Sequence, residues 1–230
     1  NMLLKSTDQK HMLIDCGGDV RNSLYELGYS STDIDAVYIS HLHADHVGGL
    51  EWLGFAKFFI DKNPPKLYIS DDQRDLLWNN VLSGGMSTLE DQEANLTTFF
   101  RVMPIQDLKF VWEKQSFKLI KVIHSYSNQQ LLPSYGLLIQ GEKLKIFIST
   151  DSRFSPEFLA LIYAQVDMIF QDCETSNFHS QQHAHYDELK NLDASIKRKM
   201  WLYDYNSGTL PDAKLDGFQG FVKRGQSFDF

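Results

Sequence analysis

The stretch ISHLHADHVGGL, residues 39–50, places His41, His43, Asp45 and His46 within six positions. Neutral imidazole nitrogen and carboxylate oxygen are good ligands for zinc and similar divalent cations. In a tight loop, an HxHxDH run can offer alternate side chains to two neighbouring ions, with His41 and His43 facing one and Asp45 and His46 the other. Two such ions, about 3.5–4 Å apart, turn bound water into hydroxide near neutral pH and neutralise the charge that grows on a phosphoryl group during in-line attack. A bridging carboxylate and a further histidine would have to come from elsewhere in the chain.

Those ligands need rigid support, and the chain repeatedly puts polar residues where rigid elements stop. His41 follows AVYIS, His124 follows KLIKVI, Asp151 follows LKIFIST, Glu174 follows MIFQDC and Asp204 follows KMWLY. Ends of buried strands gather distant side chains around a ligand because the strands fix the backbone while the loops carry the chemistry. One shared site is the economical reading.

The elements themselves alternate. LLKSTDQKHMLID reads as strand, polar turn and strand; opening on Asn1 in the middle of such a pattern is what a chain lacking an earlier strand would show. HMLID, VRNSLYELGYSSTDI and AVYIS form a strand, helix, strand unit with Gly28 as the helix stop. GLEWLGFAKFFIDK has helical spacing and stops at Pro64 and Pro65, KLYIS is strand-like, and DDQRDLLWNNVL is helical. FKLIKVIH, SYGLLIQ and LKIFISTD read as strands, with GEK a tight turn between the last two. SPEFLALIYAQ is a helix opened by Ser155 and Pro156, VDMIFQDCE a buried strand, HYDELKNLDASIKRKM one amphipathic helix, KMWLYDY a strand and GFQGFVKRGQSFDF a terminal hairpin. Strands then helix in each half suggests two sheets packed face to face with helices outside.

With 230 residues the chain suits one domain with a sizeable core, and the expectation is a single domain over residues 1–230. Its 22 basic and 30 acidic side chains leave a net charge of −8, the opposite of the field that draws polyanions. Cys16 and Cys173 form no CxxC pair, so a disulfide framework is not expected, and no segment approaches eighteen uninterrupted apolar residues. A reducing, cytoplasmic setting follows as an expectation. His11 and His179 read as surface residues.

HLHADH, the isolated IHS at His124 and STDSRF at Asp151 resemble, in order and spacing, the metallo-β-lactamase superfamily, and LIDCGGDVRNSLYELG is similar to its strand and glycine turn before the metal loop. That resemblance implies an α/β fold, an αβ/βα four-layer sandwich of two packed mixed sheets, holding two divalent ions on His41, His43, Asp45, His46, His124 and Asp151. Zinc is the expected metal, with manganese or magnesium accommodated at the second site. DCET and HAHYDEL resemble the ribonuclease Z branch, in which a Glu and a downstream His form a proton-donating pair beside the metals. Carried over, Glu174 would orient His183, which would protonate the leaving oxygen. His185, where the related pattern has Ser or Thr, is the alternative, and Asp45 counts with the catalytic group as well as the ligands. The branch ends its metal site with a His on the last core strand; here WLYDYNSG offers Asp204, which either ligates through oxygen, with a harder ligand set, or serves only as turn chemistry.

Transfer-RNA-processing members carry a long arm between the residues matching His124 and Asp151. This chain has room there for two strands and a short loop, so a large RNA is not the expected substrate. Compact, armless relatives are the anti-Pycsar phosphodiesterases of phages and bacteria, to which this chain is similar. That resemblance implies a homodimer opening 3′,5′-cyclic mononucleotides such as cCMP, cUMP or cAMP to nucleoside monophosphates. Two other classes stay open: a ribonuclease Z-type endonuclease acting on tRNA 3′ ends, and an inactive protein that sequesters a nucleotide. No membrane partner is expected.

Overall fold

Met2–Lys5 and His11–Ile14 pair antiparallel, Met2 opposite Ile14, as their short apolar runs predict. The computed structural model, which describes residues 1–141 and 143–230, divides the chain into two compact units, Asn1–Leu108 and Lys109–Phe230. In the first unit His11–Ile14, Ala36–Ile39, Lys66–Ser70 and Arg101–Ile105 continue as parallel neighbours, giving a five-stranded mixed sheet. Parallel strands need crossovers, and helices Val20–Glu26, Leu50–Phe55 and Asp71–Leu76 supply them. Leu13, Val37, Ile39, Leu67 and Ile69 from the sheet pack with Val20, Leu24, Leu50, Leu53 and Leu77 from the helices in one buried cluster. Each such side chain contributes roughly 1.5–3 kcal/mol by leaving water.

The helix expected over residues 50–61 is there, but its second half, Ala56–Asp61, widens to π geometry before the two prolines. In it Lys57 and Asp61, one turn apart and 2% and 5% exposed at the side chain, form a buried ion pair at 3.5 Å. Arg101–Ile105 gives no strand signal because Pro104 interrupts it; the strand lies at the sheet edge, where a missing N–H is tolerated.

In the second unit a seven-stranded sheet runs in the order Gly220–Phe221, Met200–Tyr203, Met168–Asp172, Lys145–Ile148, Tyr135–Gln140, Gln115–Lys121, Lys109–Trp112. The first four are mutually parallel, and the last three are joined antiparallel. Helix Pro156–Gln165 sets Leu159 and Tyr163 against Phe147 and Ile169. Glu142 of the expected GEK turn lies outside the described residues.

Two expectations about elements fail. The single helix over HYDELKNLDASIKRKM is two helices, Tyr186–Leu189 and Ala194–Lys197, because Leu192 turns into the core and the Asp193 carboxylate caps the second by accepting from Ser195 N at 2.7 Å. The terminal hairpin is one two-residue strand, Gly220–Phe221. Gly217 and Gly220 adopt positive φ, and Phe228 packs edge-on against Phe170 and Trp201 instead of joining a ladder. Each unit holds one buried free cysteine, Cys16 in the first and Cys173 in the second, and burial pushes both thiols up. Among the described residues no helix is long and apolar enough to cross a membrane.

Candidate active site

In the first unit the donors follow strand Ala36–Ile39 and are organised from below by Asp15, at the end of strand His11–Ile14. Asp15 is buried at φ 61, a left-handed conformation that Asp tolerates better than most residues. Its Oδ1 accepts from Ser40 N at 2.8 Å, and its Oδ2 accepts from Ser40 Oγ and from His46 Nδ1, each at 2.8 Å. Because Ser40 Oγ spends its proton on Asp15, His41 Nδ1 donates to that oxygen at 3.0 Å. Both rings therefore have Nδ1 engaged by the supporting bonds, which leaves Nε2 as the nitrogen that can ligate a metal. Burial pushes the Asp15 carboxyl up, but the His46 bond, the charges of His46 and His41 and the Ser40 amide outweigh it and hold the group below the usual range.

The His41 ring lies 4.7 Å from that of His43 and 4.0 Å from that of His46, and Asp45 Oδ2 sits 3.4 Å from His46 Nε2. Two Gly-Gly pairs, at 17–18 and 48–49, set this loop in place. Cys16 N donates to His46 O and Gly49 N to Cys16 O, both at 2.8 Å. A Cβ on Gly17 would stand 1.8 Å from the Asp45 carbonyl oxygen, so the two backbones meet where no side chain fits.

In the second unit His124, 1% exposed, donates Nδ1–H to Gln182 O at 2.8 Å, which again makes Nε2 the lone-pair nitrogen; that atom lies 3.8 Å from Asp151 Oδ2. Asp151, 2% exposed, follows Thr150, a β-branched residue at φ 51. His183 Nδ1 stands 2.8 Å from Asp172 Oδ2, 3.8 Å from Asp204 Oδ2 and 4.0 Å from Asp151 Oδ2. Ligand atoms of His124, Asp151 and His183 lie within 4.8 Å of one another, as do those of Asp172, His183 and Asp204. Asp204 is half exposed and at φ 60, beyond the end of strand Met200–Tyr203.

Burial opposes a charge on His183, but the Asp172 bond and the charges of Asp172, Asp151 and Asp204 raise its pKa to about 9. Burial and the charges of Asp151 and Asp204 push the Asp172 carboxyl up against the lowering influence of His183, but its Oδ2 accepts from both His183 Nδ1 and Ser152 N, each at 2.8 Å, so the proton of the pair resides on His183. The donor chemistry fits divalent cations. Three carboxylates crowd around one imidazolium in the second unit, Asp172 Oδ1 is buried with no hydrogen-bond donor among the described residues, and in each unit histidines with Nδ1 engaged have Nε2 as the nitrogen that can ligate: His41 and His46 in the first, His124 in the second.

Two role assignments change. The carboxylate on His183 is Asp172, whereas Glu174 accepts from Ser176 Oγ and Ser180 N, both at 2.9 Å, and pairs with His185 in an isolated bridge. Strand Met168–Asp172 ends at Asp172, so Glu174 turns away with the following loop. His185 is a helix cap: its Nδ1 accepts from Asp187 N at 3.2 Å and its Nε2 donates to Ser176 O at 3.0 Å, which leaves neither nitrogen for proton transfer. His179 stacks on it at 3.7 Å, and His11 is buried with its Nδ1 on Asp33 O at 3.1 Å rather than on the surface. Asp15, Ser40 and Asp172 are the residues the motif missed. All three share the signal that marked the others, a polar residue at the end of an apolar strand.

The family model described as Anti-Pycsar protein Apyc1 matches residues 1–228. The Anti-Pycsar protein Apyc1 of Paenibacillus harenae is 35% identical over 223 residues, covering 96% of this chain and 86% of that one. Its counterpart in Bacillus phage vB_BsuM-Goe3 is 28% identical over 235 residues, covering 97% and 89%. Among solved structures, the metallo-β-lactamase fold protein YhfI from Bacillus subtilis superposes with a TM-score of 0.72 at 20% identity, covering 99% of this chain and 90% of that one. The chain thus has the metallo-β-lactamase fold, and its imidazole and carboxylate donors include groups that could hold a metal ion. Matched along nearly its whole length, it belongs to the Anti-Pycsar Apyc1 family of cyclic-nucleotide phosphodiesterases.

Proposed function

We propose that the chain opens 3′,5′-cyclic mononucleotides to nucleoside 5′-monophosphates, with His41, His43, Asp45, His46, His124, Asp151 and Asp204 as the residues that would hold two divalent metal ions. These donors would suit zinc, and the oxygen of Asp204 in place of an imidazole would let manganese or magnesium be accepted as the second ion. When bound, they supply a nucleophilic water at neutral pH and charge neutralisation at the phosphoryl group. The chain's own residues do the rest. Asp15 and Ser40 keep His46 and His41 in the ligating tautomer, and the Gln182 carbonyl does the same for His124. His183 gives its proton to the ribose 3′ oxygen as that oxygen leaves phosphorus, and Asp172 orients the ring and favours its charged form.

The observation that carries this reading is the Asp172–His183 pair at 2.8 Å, with Asp151 Oδ2 4.0 Å from the same nitrogen: an acid poised next to a metal-type donor set. The acidic net charge of −8 favours a small substrate over a long RNA. Relatives from Bacillus phages support a working place in the cytoplasm of an infected host.

The test is turnover of a panel of cyclic mononucleotides, cyclic dinucleotides and precursor tRNA by the purified chain with Zn²⁺ or Mn²⁺. Cleavage of tRNA alone overturns the reading. Asp151→Ala is expected to lose both metal and activity. His183→Ala is expected to keep metal and lose about 10²–10⁴-fold in turnover; full activity in that variant removes His183 from the mechanism.

A further inference from the structure

Directly after His124 the chain makes a small excursion that the metal chemistry does not use. Tyr126–Ser127 pairs with Gln130–Leu131 in a hairpin whose two turn residues, Asn128 and Gln129, both have positive φ (48° and 66°). That is the backbone of a tight two-residue turn, matched to the twist of the paired strands. Leu132 N closes its base on Ser125 O at 2.9 Å. Gln129 adopts the left-handed conformation without the glycine or asparagine that usually relieves it, so local preference alone does not explain the hairpin.

The hairpin holds Tyr126 over Arg153. The Arg153 guanidinium carbon lies 5.0 Å from the ring centroid, and Tyr126 is 47% exposed. Arg153 is itself tied to the site. Its backbone N donates to Ile123 O and its Nε to His124 O, both at 2.7 Å, so it grips the peptide units on either side of the His124 Cα. An aromatic ring is thus supported from one side by a cation whose position is locked to a ligating imidazole, while nearly half of the tyrosine surface meets solvent. A surface tyrosine needs neither the strained turn nor the anchored arginine. A nucleotide whose phosphate sits beside His124 carries its base one sugar ring away, within the reach of residues adjacent in sequence to that histidine.

We infer that Tyr126, held by Arg153, is the stacking platform for the substrate's nucleobase, and so a determinant of affinity rather than a group acting on the phosphate. This rests on the cyclic-nucleotide reading above. Base–aromatic stacking is tolerant of base identity because every base has a π face, so the platform serves purine and pyrimidine substrates alike.

The experiment compares wild type, Tyr126→Ala and Tyr126→Phe on cAMP, cCMP and a base-free 3,5-cyclic phosphate of 1,2-dideoxyribose, with melting temperature and metal content measured on each. Tyr126→Ala is expected to raise KM for both nucleotides by about tenfold with kcat within about twofold, to leave the base-free substrate unchanged, and to be largely rescued in Tyr126→Phe. Unchanged nucleotide KM, or equal losses on the base-free substrate, overturns the inference. Should the wild type turn over no cyclic nucleotide, the parent reading fails separately. Calorimetric binding of AMP and CMP to wild type and Tyr126→Ala then decides the subsite alone: weaker binding in the variant supports it and equal binding overturns it.

Discussion

A single carboxylate behind two histidines makes Asp15 the residue whose loss should spread furthest. Asp15→Ala removes the acceptor of His46 Nδ1 and of Ser40, and through Ser40 the partner of His41. Losing such supporting groups typically costs about 10–100-fold in metal affinity, so chelator competition should show a drop of that size. His183 makes a pH prediction for the metal-free protein. Its folded pKa of about 9 lies above the ordinary value of 6.5. Its contribution to stability is therefore fully present below about pH 6.5 and lost as pH rises through about 9. Urea unfolding of the metal-free chain between pH 6 and 9.5 should show stability declining, with a shallower decline in His183→Gln; an identical slope in the variant assigns the effect elsewhere. The histidine motif was legible because its spacing is itself the signal. Asp172 was not, because DCET offers two carboxylates two residues apart, and only the point where the strand stops decides which of them faces His183.

At the scale of elements, the donors depend on backbone contacts that tolerate no extra atoms. Gly17→Ala would drive a methyl carbon to 1.8 Å from the Asp45 carbonyl, so one of the two loops must move. The expected result is loss of bound metal with circular dichroism close to wild type. Elsewhere, the Lys57–Asp61 pair sits in a helix whose other buried residues are apolar. Burial lowers the Lys57 pKa against the raising influence of Asp61, whose carboxylate faces the Lys57 ammonium at 3.5 Å. Lys57→Ala, which strands the carboxylate, should destabilise the fold by about 3–5 kcal/mol in urea titration, while Lys57→Met combined with Asp61→Leu should recover most of that loss. The strand, helix, strand alternation could be read directly, since both units are built on parallel ladders whose buried strands are continuous apolar runs. The break at Leu192–Asp193 was hidden because helical spacing continues through it; the burial of Leu192 and the cap on Ser195 N decide it, and both are tertiary.

For the molecule as a whole, divalent ions that bind only the folded chain add to its stability by mass action, about 2.7 kcal/mol at a free-metal concentration one hundred times Kd. Exhaustive chelation should therefore lower the melting temperature by roughly 5–10 °C for a chain of this size, and added Zn²⁺ should restore it; no shift would mean that the donors do not hold metal in solution. The net charge of −8 was a whole-chain property open to the sequence, as was the scarcity of cysteine. The division at Leu108 was not, because no change of composition marks it. That division gives the two thiols a use. Cys16 and Cys173 lie one on each side of it, both inaccessible and held in the unreactive protonated form. An alkylating reagent can reach either sulfur only when the surrounding half transiently opens, so mapping which cysteine is labelled, and how fast, reads out the two halves separately in the unmodified chain. Equal rates would indicate a single cooperative unfolding event, and unequal rates would name the half that gives way first.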